Sequence, residues 1–178
     1  MAGTTANVEN IKLGAAGVMW GDDDLGYTKG GIGVQITTAT KEVTVDQFGP
    51  AAVNEYIQGR SVQVTVPMAE TDLEKLALVI PDATLIGEVA GPRKLVVKNG
   101  AGTSLRSFAR KLVLHPTGVP AAQKNDDFVI LLAAPVGDIE FSFSFEDERI
   151  YNVTFKGYPD NETGELFVIG DEAAVVVP

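Results

Sequence analysis

The sequence predicts a mostly β protein: an antiparallel sandwich or barrel with one flanking α-helix at about residues 71–80. Three observations carry this. Apolar residues recur with period two in many short runs, and Gly, Pro and Asp punctuate those runs. One segment alone combines a helical period with a capping signal.

Taken in chain order, Val34 and Ile36 share one strand face, and Val43 and Val45 share another with Thr44 and Asp46 opposite. Val62, Val64 and Val66 alternate with Ser61, Gln63 and Thr65. Phe141, Phe143 and Phe145 alternate with Ser142 and Ser144, and Tyr151, Val153 and Phe155 with Asn152, Thr154 and Lys156. Successive strand side chains point to opposite faces, so each run has one apolar and one polar face. The β-branched and aromatic residues in them suit a pleated surface. Residues 94–98, 107–114 and 128–133 also read as strands, with 128–132 apolar enough for burial on both faces. For the helix, Thr71-Asp72-Leu73-Glu74 has the form of a capping box. Leu73, Leu76, Ala77 and Ile80 then make an apolar stripe that must pack on a sheet, and Pro81 ends it. Residues 49–59 fit a short helical turn or a long loop. With no internal repeat or linker, the chain reads as a single domain, 1–178, with an N-terminal arm at 1–13 and an extended loop at about 46–59.

The 178 residues are enough to bury a core without staples, and 45% apolar with 21% charged residues is a globular composition. There is no cysteine, which excludes thiolate zinc sites, thiol catalysis and disulfides. A net charge of -10 argues against tight binding of a phosphate backbone. Residues 1–10 are small and polar, without the basic and apolar regions of a signal peptide, and no apolar run approaches the ~18 residues of a membrane helix. The expectation is a soluble protein made in a cytoplasm.

Catalytic chemistry is thinly provided. His115, the one histidine, precedes Pro116 at a strand end, and no Gly-x-Ser-x-Gly elbow supplies it with a serine. Asp22-Asp23-Asp24, in a glycine-bracketed loop between Trp20 and Tyr27, offers oxygen ligands for a hard cation, but consecutive acids project in different directions. A solvated loop is expected there, and a turn at Glu146-Asp147-Glu148. Gly30-Gly31-Ile32-Gly33 lacks the Gly-Lys-Ser/Thr ending of a phosphate loop. Arg106, Arg110 and Lys111 form the one basic cluster, suited to an acidic neighbour in this chain or another. No catalytic, cofactor-binding or metal-binding residue is assigned, and an enzyme is the least expected class.

Several segments in a particular order resemble phage tail tube (major tail) proteins over most of residues 8–85. They are Gly17-Val18-Met19-Trp20-Gly21, then Leu25-Gly26-Tyr27-Thr28-Lys29-Gly30-Gly31, then Glu42-Val43-Thr44-Val45-Asp46-Gln47-Phe48-Gly49. Last comes a strand opened by Gly59 that ends in Pro67-Met68-Ala69-Glu70-Thr71 and runs into the helix. The resemblance implies a two-sheet β-sandwich with a flanking helix, assembled as six-membered rings stacked into a tube through which DNA passes without specific binding. Implied partners are further copies of the chain, the tape measure, baseplate and tail terminator proteins, and a sheath where the tail contracts. No membrane and no cofactor are implied, and the location is the virion tail, assembled in the host cytoplasm. The N-terminal arm and residues 46–59 are the expected ring-to-ring contacts. Candidate subunit contacts are Trp20, Asp22, Asp23, Asp24, Tyr27, Asp46, Gln47, Phe48, Tyr56, Arg106, Arg110 and Lys111. Two other roles suit the same features: the tube of a type VI secretion or other contractile injection system, and a β-sandwich module binding carbohydrate or receptor on Trp20 and Tyr27.

Overall fold

A computed structural model of the chain describes residue 8, residues 11–70 and residues 72–175. Its strands in order are β1 (Ala16–Trp20), β2 (Asp23–Asp24), β3 (Gly33–Thr44), β4 (Ala52–Met68), β5 (Ala83–Ile86), β6 (Lys94–Val97), β7 (Arg110–Pro116), β8 (Phe128–Glu140), β9 (Tyr151–Tyr158) and β10 (Phe167–Ile169). One α-helix, α1 (Leu73–Val79), lies between β4 and β5. The protein is thus mostly β, and among the described residues it has a single flanking α-helix and only antiparallel strand pairings.

The large sheet runs β2-β1-β7-β8-β9-β4-β3, and β5 with β6 forms a separate hairpin. β10 continues the edge of β8 that β9 vacates, pairing Phe167 to Ile130 while β9 pairs Tyr158 to Leu132. The sheet is rolled rather than flat. Asp24 pairs with Met19 at one end of the order, and only four residues later Thr28 bridges Met68 near the other end. Four residues span at most about 14 Å, so the two ends are drawn together. One rolled sheet therefore stands where the resemblance implied two stacked sheets.

The inner face collects the alternate residues of each strand: Val18 and Trp20, Val62, Val64 and Val66, Leu112 and Leu114, Val153 and Phe155, all buried. Trp20 and Phe155 pack with ring centroids 5.6 Å apart. Gly157 lies on the same inner face, and a Cβ there would collide with Val62 and sit 3.0 Å from Ile130, so any larger residue forces these side chains to shift. Val129 and Ile130 are buried in succession, so β8 is covered on both faces here, as its apolar run predicts. The Phe128 and Phe167 rings stack at 5.5 Å beside them.

Helix α1 buries Leu76 and Val79, with Leu73, Leu78 and Ile80 packed at the margin. Its N-cap is Asp72, whose carboxylate accepts the Glu74 N–H at 3.3 Å. Thr71, the expected cap, lies outside the described residues, as do residues 1–7, 9 and 10 of the expected N-terminal arm.

Two expectations are corrected. Residues 46–59 are not one loop: Asp46–Phe48 is a 3-10 turn, and β4 begins at Ala52. The ladder with β3 carries it, because Asn54, Glu55, Tyr56 and Ile57 pair with Val43, Glu42, Lys41 and Thr40. Residues 141–145 are not a strand. β8 stops at Glu140, opposite Asn152, and the Ser144 hydroxyl instead accepts the N–H groups of Glu146 and Asp147 at 3.1 and 3.2 Å. That local turn competes with further pairing.

A candidate assembly surface

β3 and β4 form one long hairpin whose base belongs to the barrel and whose far part projects. Of β3, every residue but Val43 is exposed, and so is β4 from Ala52 to Arg60. Turn residues Asp46, Gln47 and Phe48 form its tip, with Gly49 at a positive φ of 63° closing the turn. Phe48 is 68% exposed, Tyr56 61% and Ile57 58%. An extra β4 residue, Gln58, falls where the register shifts between Ala39 and Thr40. Tyr56 and Ile57, consecutive in β4 and paired to Lys41 and Thr40, show opposite faces. Both faces of the arm thus carry an apolar group. Glu42 sits directly opposite Glu55, a like-charge pair that weakens the isolated hairpin.

The structure sorts the remaining sequence candidates. Trp20 is corrected from surface contact to core: it is 2% exposed, and its indole N–H donates to the Ala133 carbonyl at 2.8 Å. The reason is parity, since Trp20 shares the inner face of β1 with Val18. Asp22 and Asp24 are exposed in and beside the β1–β2 turn, where Asp24 accepts the Gly26 N–H at 2.8 Å. Asp23 pairs with Arg110 at 3.0 Å, and the Arg110 guanidinium lies 4.8 Å from the centroid of the Trp20 ring. Tyr27 is 80% exposed. The basic cluster is divided among partners in the same chain: Arg106 donates to the Pro159 carbonyl at 3.0 Å and to Asn161 at 2.8 Å, and Lys111 pairs with Glu172.

Two polar clasps hold the barrel ends. Glu70 binds Lys75 and accepts the Tyr27 N–H at 3.0 Å, which keeps its carboxyl below the ordinary range, Lys75 being the larger cause. His115 Nδ1 lies 2.6 Å from the buried Asp127 carboxylate, and Nε2 lies 3.0 Å from the Val119 carbonyl. Both nitrogens face oxygen acceptors, so the imidazolium form donates twice and its pKa is raised, chiefly by Asp127. This pins the β7–β8 loop and leaves neither nitrogen for a nucleophile. Sequence reasoning missed the pair, because nothing in the spacing from His115 to Asp127 announces it.

Among the described residues, no three acids or histidines converge as a metal site would need, and no helix is long and apolar enough to cross a membrane. A cleft of about 410 Å³ beside Tyr27 includes Glu70 and Lys75, which are committed to each other. No family model matches the chain, and no curated protein is significantly similar to it.

Proposed function

We propose that the protein is a structural subunit that assembles with copies of itself into a tube, of the kind found in phage tails. One observation carries the reading: a projecting hairpin, formed by β3 and the first half of β4, that exposes apolar side chains on both faces and leaves the outer edge of β3 unpaired among the described residues. An isolated two-stranded hairpin is marginal in water, and an open edge is an aggregation liability unless a partner covers it. Stacked six-membered rings would cover it repeatedly, with symmetry setting the same contact on every copy.

The charge suits a conduit for DNA. Six copies at -10 make roughly -60 per ring, and carboxylates facing the lumen would repel phosphates from the wall. Tape measure, baseplate and terminator proteins, and a sheath in a contractile tail, are the partners such a tube requires. The same surface would serve a secretion-system tube. A carbohydrate-binding role loses support, because Trp20, half of its aromatic platform, is buried.

Negative-stain electron microscopy beside size-exclusion chromatography with light scattering tests the proposal. Rings or tubes with a central hole are expected. A monomer at high concentration, with or without preformed tube ends as seeds, would overturn it.

A further inference from the structure

Residues 141–145, Phe-Ser-Phe-Ser-Phe, alternate strictly with period two, yet they form no strand. Phe141, Phe143 and Phe145 are 45%, 75% and 104% exposed. Phe141 rests on the Tyr151 ring at 4.5 Å, Phe143 meets Phe141 edge-on at 5.7 Å, and Arg149 covers the Phe143 ring at 3.9 Å. A segment whose local preference contradicts its conformation is expected at a functional or strained site.

Among the described residues, the outer edge of β3 lacks a strand in the complementary way. Natural edges are guarded by Lys, Pro or a bulge. Residues 33–39 carry no charge and no proline, and the first register shift comes only after Ala39. Val34 and Ile36 lie opposite Val64 and Val62, on the apolar face, and remain 42% and 43% exposed, while Gln35 and Thr37 show the other face.

We infer that residues 141–145 of one copy add as a strand to the free β3 edge of a second copy. The periods match: Phe141, Phe143 and Phe145 would extend the Val34 and Ile36 face, and Ser142 and Ser144 the Gln35 and Thr37 face. Charge agrees in either strand direction. The acidic run Glu146-Asp147-Glu148 follows the phenylalanines, and the β3 edge has Lys29 before it and Lys41 near its end. Within one chain Glu148 already binds Lys29, which shows that such a lysine accepts this run. With roughly 200 Å² per aromatic side chain, the exposed fractions leave about 450 Å² open on the three rings. A like area on the receiving edge brings the contact near the ~1,000 Å² expected of a specific interface. The pairing presupposes the self-association proposed above and supplies strand partners for it.

The test replaces Phe141, Phe143 and Phe145 by Ser and follows assembly by light scattering and electron microscopy. Half-assembly should require about tenfold more protein or above, while emission from the buried Trp20 stays as in the wild type. Assembly at the wild-type concentration overturns the pairing and leaves the tube reading standing. A wild-type protein that never associates removes both. Because the chain has no cysteine, Ser144→Cys protein can be mixed with Gln35→Cys or Thr37→Cys protein. A disulfide between two chains in the assembled fraction supports the pairing even if the triple variant folds poorly. An assembled fraction in which neither mixture cross-links overturns it. So does a Thr37→Cys/Ser144→Cys chain that closes its disulfide within itself when dilute.

Discussion

Strand β4 has two halves in opposite circumstances. From Val62 to Met68 its alternate residues are fully buried against β9, β1 and α1 neighbours of the same chain. From Ala52 to Arg60 it pairs only with β3, and Val53, Tyr56 and Ile57 are 46%, 61% and 58% exposed. Strand propensity is higher in the Val-rich half, yet both halves are extended; what differs is whether a second layer lies over the strand. The half at residues 62–68 is held by apolar burial and the half at residues 52–60 by ladder hydrogen bonds, each of which is worth only about 1 kcal/mol net. The comparison separates residues that make the fold from residues that await a partner.

Hydrogen exchange should expose the largest difference. In the unassembled protein the amides of Val64 and Val66, bonded within the barrel, should exchange only on global opening, of order 5–15 kcal/mol. Those of residues 54–57 should exchange orders of magnitude faster. Equal protection along β4 would dissolve the distinction. Next comes Phe155→Ala, which empties the space beside Trp20 and should cost about 3–5 kcal/mol in denaturant unfolding. Gly157→Ala should cost about 1–3 kcal/mol by forcing Val62 and Ile130 apart, and a neutral result would mean the inner wall yields there.

The His115 clasp should act with a defined sign. Its pKa is raised on folding from the ordinary 6.5, so its stabilisation is complete below that value and fades as pH rises through the folded value. The gap in unfolding midpoint between the wild type and His115→Gln should therefore be wider at about pH 5.5 than at about pH 9. A gap that widens with pH would refute the doubly donating imidazolium. The smallest effect on stability belongs to the arm: Tyr56→Ser should stay within about 0.5 kcal/mol of the wild type while assembly weakens. A large loss of stability would show that the arm is packed within its own chain.

Much of the secondary structure was legible because its signals are local. The valines of β4, the aromatic alternation of β9 and the helix within residues 71–80 all follow from side-chain period and capping. Signals failed where a partner decides. The run at 141–145 has a strand pattern but no strand to pair with, whereas residues 52–59 look like loop and become strand because β3 lies alongside. Of the candidate contacts, Asp46, Gln47, Phe48, Tyr56 and Tyr27 lie at the surface, while Trp20 was misjudged because aromatic character alone does not tell inside from outside.

By itself, then, the sequence determined that this is a mostly β protein, where its apolar faces fall and where its one helix lies, since these depend on residues a few positions apart. Only the tertiary structure decided the order β2-β1-β7-β8-β9-β4-β3, the burial of Trp20 against Phe155 and the pairing of His115 with Asp127. The first two join residues distant in the chain and depend on how the whole sheet rolls and closes. The third joins residues 12 apart and depends on the path of the β7–β8 connection, and no local period encodes any of these.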